Sequence, residues 1–104
     1  MVEPEMVVYV DEELADLIPE FLANRRRDVE TITRLVQAGN YEELTRLGHT
    51  MKGVGGSYGF TEISETGRGI EEASARGDRE AITTLCERLA AYLAGVTVKV
   101  QQQA

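Results

Sequence analysis

His49-Thr50-Met51-Lys52-Gly53-Val54-Gly55-Gly56-Ser57-Tyr58-Gly59 combines features that pull against each other. It holds the chain's one histidine, a lysine one helical turn later, and glycines at 53, 55, 56 and 59. Each glycine inside a helix costs about 1 kcal/mol relative to alanine. The apolar residues nevertheless keep helical time: Leu44, Leu47, Met51, Val54 and Tyr58 follow an i, i+3, i+7, i+10, i+14 series, the seam of a helix packed in a bundle. At about 100° per residue these five share a narrow sector and His49 points opposite its centre. Lys52, Gly53 and Gly56 spread around the outward side, with Gly59 at its edge. The imidazole is therefore expected in water beside an ammonium, in a clearing of residues without side chains. Glycine is favoured there despite its helix cost if something must approach the backbone closely.

The neighbouring segments supply the rest of a bundle. Asn40-Tyr41-Glu42-Glu43 reads as a capping box that opens the histidine helix, with Asn40 as N-cap and Glu43 reaching back. Gly59-Phe60-Thr61 is the turn that closes it, with Thr61 as the next N-cap. The following helix turns Ile63, Gly67, Ile70 and Ala73/Ser74 inward and stops at Gly77. Asp78 caps a further helix with Ile82, Leu85, Cys86, Leu89, Leu93 and Val96 inside. Upstream, Phe21, Leu22, Val29, Ile32, Leu35 and Val36 mark a long helix, restarted at Pro19 and closed by Gly39 in a left-handed conformation. Asp11 caps a short helix through Asp11-Glu12-Glu13-Leu14. Short connections make successive helices antiparallel. The expected fold is all-α, an antiparallel up-and-down four-helix bundle over residues 11–98 with a short additional N-terminal helix. Residues 1–10 form an extended lead-in, and residues 99–104 form a polar C-terminal tail, Gln101-Gln102-Gln103-Ala104 fraying. Val7-Val8-Tyr9-Val10 makes a strand only with a partner, and Val96-Thr97-Val98 is the one other candidate.

Composition narrows the function. The chain has 104 residues, enough for one domain with a modest core, and is 42% hydrophobic and 28% charged, ordinary for a globular protein. A net charge of −7 without a basic stripe argues against nucleic acid. No apolar run approaches the ~18 residues of a membrane span. Met1-Val2-Glu3-Pro4-Glu5 lacks the features of a signal peptide, so a cytoplasmic location is expected, and the leading Met1 favours a free-standing domain. A monomer is expected. The lone Cys86 cannot form an internal disulfide and lies on an apolar stripe, which makes it a core thiol.

Histidine chemistry has few routes here. With one histidine and no cysteine near it, a metal site lacks ligands. Ser57 falls on the wrong side of its helix to form a dyad with His49, and a small packed bundle offers little pocket for a hydrolase. Covalent chemistry by the imidazole remains, since histidine forms phosphoryl intermediates as a nucleophile. Lys52 is placed to screen the charge of such a group. Counting back from the turn near Phe60-Thr61 brings Arg68 to Glu72 level with His49, with Glu71 on the flank of its helix. Glu71 is either a solvated carboxylate or the acceptor of Nδ1–H that fixes the tautomer and leaves Nε2 exposed. Arg25 and Asp28, on or beside the apolar stripe of their helix, either pair with each other or present Arg25 for docking.

The string His49, Lys52, Gly53, Gly56 and Gly59 resembles the hallmark of histidine-containing phosphotransfer (HPt) domains, H-x-x-K-G followed by small residues and a further glycine. The likeness extends over residues 11–98, including the Gly77-Asp78 junction. It implies that His49 takes a phosphoryl group from a receiver-domain aspartyl phosphate, or from a histidine kinase, and passes it to a response-regulator aspartate. It also implies a carrier more than an enzyme, with no cofactor of its own and Mg²⁺ held by the partner receiver. Glu71 corresponds to the glutamate beside the phosphorylated histidine in chemotaxis-type kinases. Gly53, Gly56 and Gly59 give a partner access. Docking is expected to use an apolar patch near His49 and the charges of Arg46 and Lys52, against the repulsion of an acidic receiver. The rival reading is an HPt-like adaptor that binds and regulates a receiver or kinase without transferring phosphate. Gly55, close to the core seam, has no functional explanation at this level.

Overall fold

The computed structural model describes residues 6–102. Expectations for Met1–Glu5 and for Gln103 and Ala104 lie outside the described residues. In chain order come strand β1 (Val7–Asp11), a 3-10 turn (Ala15–Leu17), helices α1 (Ile18–Ala38), α2 (Tyr41–Ser57), α3 (Thr61–Ala75) and α4 (Arg79–Gly95), and strand β2 (Thr97–Gln101).

The helix ends follow local chemistry. The Asn40 side chain accepts from the Glu43 amide at 3.2 Å and Asp78 from the Ala81 amide at 3.1 Å, so α2 and α4 are capped as expected. The capping box is half made: the Asn40 amide donates to the Leu35 carbonyl, and the Glu43 carboxylate pairs with Arg46 at 2.9 Å. α3 starts at Thr61, but its N-cap is Phe60, and no side chain caps it. Phe60 is instead fully buried and stacks at 5.1 Å on Phe21, which meets Tyr58 at 4.7 Å. Packing decides that boundary. At Gly39 and Gly59 the backbone turns with φ of 68° and 82°, where a side chain would be strained.

The N-terminal region departs from the expected short helix. Asp11 accepts from the Glu13 amide at 2.9 Å, a local turn, and the 3-10 residues run directly into α1, with Pro19 in its first turn. The lead-in and the tail are joined. β1 and β2 form a two-stranded parallel sheet with Val7 opposite Thr97, Val8 opposite Val98 and Asp11 opposite Gln101. Gln101, expected in a fraying tail, is thus part of the ladder. Val8 and Val98 pack on the bundle and Val10 is buried in it.

The core runs between the helices through Ile32, Leu44, Met51, Ile63, Ile70, Ile82 and Leu89, all essentially inaccessible. Cys86 is buried among them, its thiol near Thr33 Oγ1 at 3.9 Å and the Val29 carbonyl at 3.6 Å. Burial raises its pKa against the lowering by the Thr33 hydrogen bond, with a lesser upward push from the charge of Glu87, so the core-thiol expectation fits the site. Arg25 and Asp28 pair at 2.7 Å with side chains 12% and 15% exposed, and the guanidinium lies 5.1 Å from the Phe21 ring centre. The local pairing is the arrangement found.

α2 and α3 are the closest helix pair, and glycine makes that approach. A Cβ on Gly48 would lie 2.6 Å from the Glu71 amide nitrogen, one on Gly55 2.6 Å from that of Ser64, and one on Gly67 2.5 Å from that of Lys52. Residue 48 meets 71 while 55 meets 64, so the two helices run antiparallel. Gly55, unexplained from sequence, is a backbone contact point.

Candidate functional site

His49 and Lys52 stand one turn apart on α2, just beyond the edge where Gly48 touches α3. That close approach brings the α3 backbone at Glu71 against Gly48, so the Glu71 side chain reaches both neighbours. Its Oε2 lies 3.0 Å from His49 Nδ1 and its Oε1 lies 3.1 Å from Lys52 Nζ. An ionised carboxylate only accepts, so Nδ1 carries a proton, and in the neutral ring this tautomer leaves the lone pair on Nε2. Among the described residues Nε2 has no hydrogen-bond partner, and the imidazole side chain is 68% exposed. The hydrogen bond from Lys52 holds the Glu71 carboxyl below its usual range, helped by the bond from His49 and opposed by partial desolvation.

The glycines proposed for access divide by role. Nothing lies within 4 Å of a Cβ built on Gly53, and only Ser64 Oγ, at 3.8 Å, near one on Gly56. Both leave open surface beside the imidazole. Gly59 is open too, but its positive φ makes it the turn that ends α2. Sequence reasoning missed Ser64, whose hydroxyl donates to the Lys52 carbonyl at 2.8 Å and ties α3 to the backbone of the site. It also missed Gly48. A small residue adds nothing to an apolar periodicity, so only the pairing with Gly67 could have exposed it.

Ser57 donates to the Gly53 carbonyl at 3.0 Å, away from His49. Arg46, expected to help docking, is paired with Glu43 at 2.9 Å and Glu42 at 3.7 Å. Among the described residues no three His, Cys, Asp or Glu side chains are grouped to hold a metal. No helix among them is long and apolar enough to cross a membrane.

What remains is an exposed imidazole oriented by a carboxylate that a nearby ammonium shares, on a closely packed helix pair. The family model for the Hpt domain matches residues 16–97, most of the chain. The protein belongs to the Hpt family, whose domains perform histidine phosphotransfer in phosphorelays. Comparison with curated proteins and with solved structures returned no match.

Proposed function

We propose that His49 is the phosphoryl carrier, accepting at Nε2 from a receiver-domain aspartyl phosphate or a histidine kinase and donating to a response-regulator aspartate. The observation that carries this reading is an exposed imidazole whose Nδ1 is held by Glu71 at 3.0 Å and whose Nε2 has no partner among the described residues. In transfer from a receiver, the Nε2 lone pair forms the N–P bond as the acyl phosphate O–P bond breaks, and the aspartate leaves as carboxylate. The ring becomes an Nε2-phosphorylated imidazolium that keeps its Nδ1 proton on the Glu71 carboxylate, which stabilises its charge and holds the ring in place. Lys52 shares that carboxylate and lies within one turn of the new phosphoryl group, whose charge it screens. Gly53, Gly56 and Gly59 leave room for the partner's active site, which brings Mg²⁺. The scaffold is an up-and-down antiparallel bundle working as a monomer in the cytoplasm, with no kinase activity of its own.

The test is phosphotransfer from a panel of phosphorylated receivers to the wild-type chain and to His49→Gln. An acid-labile label on the wild type that the variant lacks is the expected result. A receiver that binds both chains equally and labels neither would overturn the proposal in favour of an adaptor.

A further inference from the structure

β1 precedes the residues matched by the family model and β2 begins at the last of them, so the sheet is largely an addition to the matched bundle. Beside it runs an open groove of about 820 Å³. Residues 6–9 form one wall, Gly59 and Thr61 close one end, and Glu62, Thr66, Arg88 and Tyr92 provide much of the helical side. No β2 residue lines it, so the groove follows the edge of β1 that β2 leaves open; among the described residues that edge has no partner strand. Free edges are commonly blunted by lysine or proline. β2 carries Lys99, whereas Val7-Val8-Tyr9-Val10-Asp11 has neither residue and leaves Tyr9 61% exposed.

The helical side carries unspent polar capacity. Tyr92 is 8% exposed as a residue and lines the groove, where its hydroxyl is open to solvent and has no hydrogen-bond partner among the described residues. Burial and then the charge of Glu62 raise its pKa, so the phenol stays protonated, a donor that a ligand's acceptor reaches in place of water. Neither Glu62 nor Arg88 has an ion-pair partner among the described residues. Their spacing selects the ligand. A Cβ on Gly69 would touch Leu85; counting outward along the antiparallel pair puts Thr66 level with Arg88 and Glu62 level with Tyr92. Four helical residues rise about 6 Å. Two residues of extended chain advance about 6.6 Å and point to the same face.

We propose that the groove binds an extended segment of a partner protein as an added strand on β1, with a basic and an acidic side chain two positions apart facing Glu62 and Arg88. Main-chain pairing to β1 supplies affinity, the two charges set register, and the segment offers an acceptor to the Tyr92 hydroxyl. Glu62 lies about 13 Å along α3 from Glu71, so the groove is occupied without covering His49.

The test is fluorescence anisotropy of the whole chain with an end-blocked, labelled peptide, Thr-Val-Lys-Val-Asp-Val-Thr, beside a copy with Lys and Asp exchanged and a backbone N-methylated copy. Arg88→Glu and Glu62→Lys should each weaken binding about fivefold or more. The double variant should prefer the exchanged peptide. Tyr92→Phe should weaken binding about threefold without lowering Tm. No binding up to about 1 mM, equal binding by the charge variants, or equal binding of the N-methylated copy would overturn the proposal. So would self-association that the peptide displaces, which gives the edge to a second copy, or binding seen only after residues 1–5 are removed, which gives it to the chain's own leading segment.

Discussion

Gly67→Ala and Gly53→Ala are the same chemical change in two helices of one bundle, and the structure gives them opposite signs. A Cβ on Gly67 would sit 2.5 Å from the Lys52 nitrogen, 2.8 Å from the Gly48 carbonyl oxygen and 2.9 Å from the Met51 carbonyl carbon. Ordinary contact begins near 3.4 Å, so the tightest of these needs about 0.9 Å of relief. All three atoms are backbone, so no side chain can rotate away and α3 must shift from α2. Overpacking of this kind costs about 1–3 kcal/mol, and the rigidity of both partners puts this site at the upper end. The gain in helix propensity returns about 1 kcal/mol. The net expectation is a loss of about 2 kcal/mol, or roughly 10 °C in Tm for a domain of this size. Gly53 has nothing within 4 Å of its Cβ position, so Gly53→Ala keeps the propensity term and gains up to about 1 kcal/mol. Urea titrations followed by circular dichroism read both, with unchanged m-values as the check on two-state behaviour. A Gly67→Ala midpoint equal to or above wild type would refute the reasoning, as would two variants that move together.

Three further outcomes follow from named contacts. Asp28→Ala strands the guanidinium of Arg25 in a site where its side chain is 12% exposed and should cost about 1–3 kcal/mol, whereas Arg25→Met/Asp28→Leu should be neutral or stabilising in the same urea titration. Burial raises the Asp28 pKa despite the opposing pull of Arg25, so the folded chain binds that proton more readily than the unfolded one; this group's contribution to stability therefore improves as pH falls through its raised value. Glu71→Gln should slow phosphotransfer about threefold to tenfold; in the wild type the lowered Glu71 pKa keeps the contribution of the clamp in full above the ordinary carboxylate value, and it is lost as pH falls through the lowered one, which stopped-flow transfer at graded pH would follow. Cys86 should react with a thiol reagent at least 100-fold faster in urea than in the native state, because its thiol is buried and its pKa raised.

The histidine helix was legible because its signals are local. Leu44 and Met51 kept the helical period and proved fully buried, and counting back from the turn at Phe60-Thr61 brought Glu71 to His49. Glycine hid the rest. Gly48, Gly55 and Gly67 define how near α3 comes to α2, yet a residue without a side chain carries no hydropathy signal. The strand pair was only half visible. β1 stood out as an apolar run with Val96-Thr97-Val98 as its one candidate partner, but that partner lies some 90 residues away in chain order, and Lys99 and Gln101, which complete the strand, read as polar tail. Pairing across that distance depends on the bundle bringing both ends together. Thr61 was the natural cap by residue type, but the burial of Phe60 set the start of α3.

The most direct measurement of the carrier claim is ³¹P and ¹⁵N NMR of the ¹⁵N-histidine-labelled chain after phosphorylation by a receiver. One phosphohistidine, with phosphorus bonded to Nε2 of His49 and the proton on Nδ1, is the predicted spectrum. Phosphate on Nδ1, or an unmodified imidazole in a chain that a receiver still binds, would contradict it.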